Sequence, residues 1–172
     1  MSVRKLTLTG VMAAVMCVLA PWAVQIGPVP ITLATLALYL IGAVAGEKYG
    51  TVAVVIYILL GMVGMPVFSG FAGGFSRIAG VTGGYIIGYI PCVYICGIIL
   101  RLTKRRFWAY PVAMLSGTAA LYVLGTLWYS FQTGNTFEGG MIICVVPFLP
   151  GDIVKIILAS VFSHEINKRV LL

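Results

Sequence analysis

The sequence predicts an all-α integral membrane protein: a single transmembrane domain over residues 1–172 with six transmembrane helices. Hydrophobic residues make up 61% of the 172 residues and charged residues only 9%, whereas a soluble domain carries about 25% charged residues. The mean hydropathy is +1.10, and Gly and Pro, which membrane helices tolerate, interrupt the apolar runs. These runs are far longer than the roughly ten alternating residues of a barrel strand, so the spans are helical.

Six spans of about 20 residues account for the chain, and each is bounded by residues that favour a helix end. The first three end at the turn over 27–30, at Glu47 and at Pro66, because proline resists helix continuation and charge resists burial in lipid. The sixth opens with Pro150 near its first turn, where the missing N–H costs nothing. We expect the spans at residues 6–23, 31–46, 50–65, 81–100, 108–131 and 149–166.

The net charge of +7 reflects membrane topology rather than nucleic-acid binding. Nine of the eleven basic residues lie in short segments beside apolar runs: Arg4, Lys5, Lys48, Arg101, Lys104, Arg105, Arg106, Lys168 and Arg169. Basic residues stay on the cytoplasmic side, so we expect cytoplasmic N- and C-termini in a multi-pass protein of the cell membrane. The glycine-rich stretch 67–80 and the connection 132–147 then lie outside.

Two charged residues lie clearly inside a predicted span, Asp152 and Lys155 near the outer end of the sixth. Charge inside a span costs about 2.5–3.5 kcal/mol and marks a functional site by default. Their spacing of three places them on one helix face. They form either an ion pair that neutralises itself or a site that faces a polar ligand from outside. The position of Asp152 in a first helical turn also favours a carboxylate.

Other candidate ligand-binding residues cluster towards the same outer face. Arg77 is the one basic residue of the outer loops, and it is either solvated or a clamp for a carboxylate. Glycines allow a ligand to approach the backbone, and they equally allow close helix packing; the candidates are Gly73, Gly74, Gly83 and Gly84. Aromatic residues there form an interfacial belt or line an apolar pocket, and we assign Tyr85, Phe71 and Trp22 to a pocket.

Nothing in the sequence points to an enzyme. There is no Walker motif, zinc-ligand spacing or nucleophile–base pair, so we expect no catalytic residue, no metal and no cofactor. Cys92 and Cys96 are one helical turn apart without His or carboxylate nearby, and packing explains them. Small residues in the first span favour either packing within the chain or docking of a partner's membrane helix: Gly10, Ala13, Ala14 and Cys17.

Three stretches together resemble the BioY family, the biotin-specific substrate-binding (S) subunits of energy-coupling-factor (ECF) transporters. They are Gly27-Pro28-Val29-Pro30-Ile31-Thr32-Leu33, then Gly64-Met65-Pro66-Val67-Phe68 with Gly80-Val81-Thr82-Gly83-Gly84-Tyr85, and finally Pro150-Gly151-Asp152-x-x-Lys155. The resemblance covers nearly the whole chain. Relatives usually have proline where this chain has Val81, which affects the rigidity of that loop more than its role.

The resemblance implies six helices, a biotin pocket at the outer face, and assembly with a transmembrane coupling subunit and two ATPases. It assigns ligand binding to Asp152 and Lys155, and coupling-subunit docking to the small residues of the first helix. Biotin is then the transported ligand. Two alternatives stay open: an S subunit for another vitamin, or a small proton-coupled secondary carrier in which Asp152 takes up the proton.

Overall fold

The computed structural model is mostly helical, and it describes residues 3–24 and 29–170. Gly27 and Pro28 of the predicted turn therefore lie outside the described residues. A two-stranded antiparallel ribbon, β1 (Ala23–Val24) and β2 (Ile31–Thr32), joins the first two helices. The helices are α1 (Val3–Leu19), α2 (Ala34–Met62), α3 (Phe75–Ala79), α4 (Gly83–Leu102), α5 (Ala109–Thr133), α6 (Phe137–Cys144) and α7 (Leu149–Val170).

Three of these helices, α2, α4 and α5, are each long and apolar enough to cross a membrane. The successive helices α6 and α7 meet at a bend of 61° and make a fourth candidate span if they are taken together. The helix α1 has 17 residues. The described residues thus form a multi-pass membrane bundle, as the composition predicts.

The long helix α2 is broken at Gly46, where the backbone has φ 73° and ψ −176°. A Cβ at Gly50 would lie 3.2 Å from the Ile41 side chain, yet nine residues of continuous helix would separate these positions by about 13 Å. The two halves, 34–45 and 47–62, therefore fold back on each other. This break lies where the sequence predicts that the second span ends and the third begins.

The centre of the bundle is built from α2, α4 and α5, and α1 and α7 pack against α2. Gly97 of α4 allows α4 to pack closely against the break in α2, because a Cβ there would lie 2.3 Å from the backbone nitrogen of Glu47. The Glu47 side chain is buried beside the break and is paired with Arg101 at 2.6 Å. Cys92 and Cys96 are fully buried in the same core, against Gly117 and Gly42.

Two predicted loops contain short helices, which corrects the expected element list. The glycine-rich stretch 67–80 contains α3, and the connection 132–147 contains α6. The helix α6 begins at Thr136, whose hydroxyl accepts a hydrogen bond from the Gly139 N–H at 3.2 Å. Helices of five and eight residues are too short for hydrophobic periodicity to reveal them.

Candidate functional site

A cavity opens between α2, α4, α5 and α7 and contains Asp152 and Lys155, the charged residues near the outer end of the predicted sixth span. It encloses about 380 Å³ of space not filled by protein atoms, part of it open to the outside. Its lining residues are Val29, Pro30, Thr32, Thr35, Tyr85, Tyr89, Leu121, Tyr122, Phe148, Asp152 and Lys155.

Asp152 lies in the first turn of α7, and only 4% of its surface is exposed. Its Oδ1 accepts hydrogen bonds from the Thr35 hydroxyl at 3.1 Å and from Lys155 at 3.0 Å. Its Oδ2 accepts a short hydrogen bond from the Tyr122 hydroxyl. A carboxylate offers about four lone-pair sites, so one remains for a donor on a ligand.

Lys155 connects α7 to the ribbon and to the start of α2. Its Nζ donates to the Thr32 carbonyl oxygen at 2.7 Å, to the Thr35 hydroxyl at 3.0 Å and to Asp152. These three bonds use every donor of an ammonium group. A ligand oxygen that binds Lys155 must therefore replace one of these partners.

The structure contains the ion pair between Asp152 and Lys155, whereas their role as a site for a polar ligand stays a prediction. The residues form an ion pair across three positions of α7, with side chains that are 6% and 12% exposed, and both line the cavity. A buried ion pair in a low dielectric is stable only when its remaining donors and acceptors are satisfied. Thr32, Thr35 and Tyr122 satisfy them, so the cavity has a polar end fixed by three elements.

Aromatic rings form much of the remaining wall. Tyr85 and Tyr89 enter from α4, Tyr122 from α5, and Phe148 from the residue before α7. The Tyr85 hydroxyl lies 3.4 Å from the Thr126 hydroxyl and donates to the Cys144 carbonyl oxygen at 3.5 Å. The cavity thus presents flat apolar faces beside its charged end, which suits a ligand with a polar group on a compact apolar ring system.

Sequence reasoning identifies Asp152, Lys155 and Tyr85 and misses the other polar and aromatic contributors. Thr35, Tyr89 and Tyr122 are uncharged residues inside apolar helices, so nothing in composition separates them from packing residues. Their one signal in the sequence is a polar atom within a predicted span, which several other residues of this chain share.

The structure places Trp22 and Phe71 outside the cavity lining. Their rings meet edge to face with centroids 5.7 Å apart, and both residues are more than half exposed. Trp22 lines a separate crevice together with the ribbon, and this crevice shares Thr32 and Lys155 with the cavity. A role for either ring in ligand binding stays a prediction.

Arg77 lies on the short helix α3 with an exposed side chain, away from the cavity lining. Among the described residues its guanidinium has no hydrogen-bond or ion-pair partner, whereas its carbonyl oxygen accepts from Thr82 at 3.4 Å. Its predicted role as a carboxylate clamp therefore concerns the outer surface of the molecule and stays a prediction.

The four candidate glycines are close to protein backbone or side chains rather than to the cavity. A Cβ at Gly73 would lie 2.4 Å from the Met65 carbonyl oxygen. At Gly83 it would lie 1.7 Å from the Ile78 carbonyl oxygen, and at Gly84 it would lie 2.1 Å from Trp128 Cβ. Gly74 precedes α3 with φ 98°. Packing accounts for Gly73, Gly83 and Gly84, and backbone conformation for Gly74, while ligand approach stays a prediction.

The small residues of α1 do not all face the same surroundings. Ala13 is buried against the bundle, Cys17 is partly buried, and Gly10 and Ala14 are exposed. A Cβ at Gly10 would meet nothing within 4 Å. Ala13 thus packs within the chain, whereas Gly10 and Ala14 form an exposed strip of small residues, and docking of a partner's helix on that strip stays a prediction.

These features define a class of protein: a multi-pass helical membrane protein with a cavity that suits a small molecule. The BioY family model matches residues 1–171, and the chain belongs to the BioY family. It is 33% identical over 96% of both chains to the biotin transporter BioY of Thermotoga maritima. It is 36% identical to the probable biotin transporter BioY of Pyrococcus horikoshii, over 97% of this chain and 98% of the relative.

A solved structure has the same fold. The crystal structure of the S-component for biotin from an ECF-type ABC transporter superposes with a TM-score of 0.88 at 29% identity. The match covers 96% of this chain and 92% of that one.

Proposed function

We propose that this chain captures biotin at the outer membrane face as the S subunit of an ECF vitamin importer. The observation that carries the proposal is the buried Asp152–Lys155 pair at the end of a tyrosine-lined cavity. Membership in the BioY family supports it, as do the names of the relatives and the likeness to the S-component for biotin.

The chemistry of biotin matches the cavity group by group. Its ureido ring has two N–H donors and one carbonyl, and Asp152 has an acceptor site left for one of these donors. Lys155 donates to a ligand oxygen by exchanging one of its present partners. The tyrosine rings cover the apolar bicycle, and the valerate carboxylate extends outwards, where Arg77 or backbone N–H groups of the glycine-rich stretch receive it.

In the proposed topology, the protein crosses the cell membrane six times, and both its N- and C-termini lie in the cytoplasm. The break at Gly46 turns α2 into two crossings, and α1, α4, α5 and α7 supply the others. The distribution of basic residues supports this orientation. The ends of α1 and α7 that carry Arg4 and Lys168 then face the cytoplasm, and the cavity faces outwards.

The proposed assembly joins this chain to a transmembrane coupling subunit and two ATPases. The whole chain serves as one transmembrane substrate-binding domain that carries no catalytic group and needs no cofactor of its own. Energy for uptake then comes from the ATPases. The exposed Gly10 and Ala14 support docking of the coupling subunit on α1, because small residues let helix backbones approach closely.

Titration of the purified protein with biotin tests the capture step. We expect saturable binding, followed by tryptophan fluorescence or by heat, and its loss in Asp152→Asn and in Lys155→Met. The double variant Asp152→Asn/Lys155→Met removes both charges together. It therefore leaves no buried charge unpaired and controls for unfolding caused by a single unpaired charge. Glu165→Gln is the matched control, because Glu165 pairs with Lys168 at the same spacing on α7 but at an exposed position.

Two outcomes contradict the proposal. A well-folded protein that binds no biotin refutes the ligand, and titration with other vitamins then distinguishes an S subunit of different specificity. Equal losses of biotin binding in Asp152→Asn and Glu165→Gln would show that the overall charge of α7, rather than the cavity, determines binding.

A further inference from the structure

A second polar pocket lies at the opposite end of α7 from the cavity. It is lined by Arg105, Tyr110, His164, Asn167 and Lys168, and encloses about 370 Å³ of space that is open on one side. Asn167 follows Asp152 by fifteen residues, which is about 22 Å along a helix axis. The two sites are therefore separate, and the proposed capture of biotin uses none of these five residues.

The pocket is fixed to the break in α2. The Ala43 carbonyl oxygen lies just before Gly46, and it accepts hydrogen bonds from Arg105 Nη1 at 2.8 Å and from Asn167 Nδ2 at 3.0 Å. Asn167 Nδ2 also donates to the Tyr110 hydroxyl at 2.9 Å. Arg105 and Asn167 are held in place before any ligand arrives, which lowers the entropic cost of binding.

An acceptor in this pocket is left without a partner. Asn167 is 8% exposed, and its Oδ1 has no hydrogen-bond partner among the residues that the structure describes. A buried acceptor without a partner costs about 1–3 kcal/mol. A ligand that brings a hydroxyl or N–H donor to this oxygen recovers that cost.

Two of the other polar groups at the pocket, Arg105 and Lys168, are cationic. Arg105 keeps further guanidinium N–H donors beyond the one that it gives to Ala43. Lys168 is paired with the exposed Glu165 at 3.2 Å, and its ammonium group has two more donors. His164 stands between the rings of Phe107 and Tyr110, with centroids at 5.2 and 5.6 Å. Glu165 is the acidic group beside these cations.

The backbone before α5 directs Arg105 to this pocket. Lys104 and Arg105 both have left-handed φ values, 52° and 53°, which is uncommon for residues other than glycine. The Arg105 N–H donates to the Leu100 carbonyl oxygen at 2.9 Å and closes the end of α4. Arg105 thus has an unfavourable backbone conformation, and from this position its side chain reaches the Ala43 carbonyl oxygen of α2.

An exposed aromatic side chain borders the pocket. Phe107 is more than half exposed, and its ring contacts His164 of the pocket itself. Aromatic residues at a helix end lie at the level of lipid headgroups. An anion that reaches the pocket with acyl chains attached would bury part of those chains against this ring, which favours a lipid over a free ion.

We propose that this pocket binds the headgroup of an anionic phospholipid that carries a hydroxyl donor. The phosphodiester lies between Arg105 and Lys168, the headgroup hydroxyl donates to Asn167 Oδ1, and the acyl chains lie along Phe107. Phosphatidylglycerol has this chemistry. Because Arg105 and Asn167 both hold Ala43, the bound headgroup also fixes the break in α2.

Native mass spectrometry of the full chain with added lipid tests this site. The probes are phosphatidylglycerol, phosphatidylmethanol with the same charge but no hydroxyl, phosphatidylcholine, and inorganic phosphate as a competitor. We expect phosphatidylglycerol to bind about fivefold more tightly than phosphatidylmethanol, the worth of one hydrogen bond. Phosphatidylcholine should bind more weakly than either, and inorganic phosphate should not displace phosphatidylglycerol.

Two neighbouring substitutions distinguish lipid binding in the pocket from a general attraction of anionic lipid to the positive surface. Lys168→Gln and Arg169→Gln each remove one positive charge from the same turn of α7, yet only Lys168 lines the pocket. Lys168→Gln should weaken phosphatidylglycerol binding about fivefold, and Arg169→Gln should leave it within about twofold. Equal losses in both variants would overturn the proposal. So would equal binding of all three lipids, and displacement by inorganic phosphate would identify a free-anion site instead.

Discussion

At the residue scale, the Tyr122 hydroxyl holds Oδ2 of Asp152 in place. Thr35 and Lys155 both bind Oδ1, and Tyr122 alone among the described residues donates to Oδ2. Tyr122→Phe removes this donor and keeps the ring in the cavity wall. A hydrogen bond to a charged group contributes about 1.5–3 kcal/mol, so we expect biotin affinity to fall at least about tenfold in a titration.

The matched control for this substitution is Tyr94→Phe. Tyr94 lies on α4 and is 46% exposed, so loss of its hydroxyl should leave biotin affinity unchanged. If Tyr122→Phe binds biotin as tightly as the unaltered protein, Thr35 and Lys155 are sufficient to orient the carboxylate. The geometry of the proposed contact between the Asp152 carboxylate and the ureido ring of biotin would then not depend on Tyr122.

Arg77 and Lys155 are both basic, but their surroundings predict effects of different size. Lys155 is nearly buried and bound to three partners, whereas the Arg77 side chain is exposed. An exposed ion pair contributes about 0.2–1 kcal/mol. We therefore expect Arg77→Gln to weaken biotin binding by at most about fivefold and to leave the binding of biotin methyl ester unchanged.

The comparison of the acid with its ester is decisive for Arg77. An equal loss for both ligands would show that the substitution disturbs the outer loop rather than a carboxylate contact. A loss as large as that of Lys155→Met would mean that Arg77 moves into a buried position when the ligand binds.

The sequence reveals the charged half of the site because charge is rare in this chain. Asp152 and Lys155 stand out against apolar neighbours, and their spacing alone places them on one helix face. Thr35 and Tyr122 come from helices far away in the chain and carry no charge. Only the packing of α2 and α5 against α7 brings them to the carboxylate, and periodicity does not encode which helices become neighbours.

At the scale of elements, the break at Gly46 requires glycine for its backbone conformation alone. Its φ of 73° and ψ of −176° lie in a region that only glycine populates readily, and a Cβ there would meet nothing within 4 Å. Gly46→Ala should therefore lower the thermal stability of the purified protein by strain and not by a clash. The expected cost is about 1–3 kcal/mol.

Gly151→Ala is the control for the break, because its added Cβ also meets nothing within 4 Å and its φ is not positive. We expect its melting temperature to be equal or slightly higher, since alanine favours a helix. If the two substitutions have the same melting temperature, the fold at Gly46 tolerates an L-residue, and the pairing of Glu47 with Arg101 maintains it.

Element boundaries were predictable where a strong local signal exists. The prediction that one span ends at 46 and the next begins at 50 follows from Glu47 and the neighbouring glycines. The helix α2 is broken at Gly46, and the crossing of the membrane by each half separately stays a prediction. The ribbon of β1 and β2 has strands of two residues, below any periodic signal. Trp128 also has a packing role that its residue type does not reveal, because its Nε1 donates to the Gly80 carbonyl oxygen at 2.9 Å.

At the scale of the whole molecule, α1 is the helix best placed to meet a partner. One of its sides packs on α2 through Ala13 and Met16, and Gly10 and Ala14 lie exposed beside that side. Substitution of Gly10 and Ala14 by Leu adds bulk only to the exposed strip. We expect this double variant to bind biotin normally and to lose copurification with the coupling subunit, since small residues allow the closest helix contact.

The control for docking is Val11→Phe, one residue along and about 100° around α1 from Gly10. Val11 is 51% exposed, so this substitution adds bulk to a neighbouring lipid-facing position and should leave copurification intact. Copurification that survives Leu at both 10 and 14 would remove α1 from the docking surface. Loss of biotin binding in the same variant would mean that the strip supports the bundle, because the cavity itself lies between α2, α4, α5 and α7.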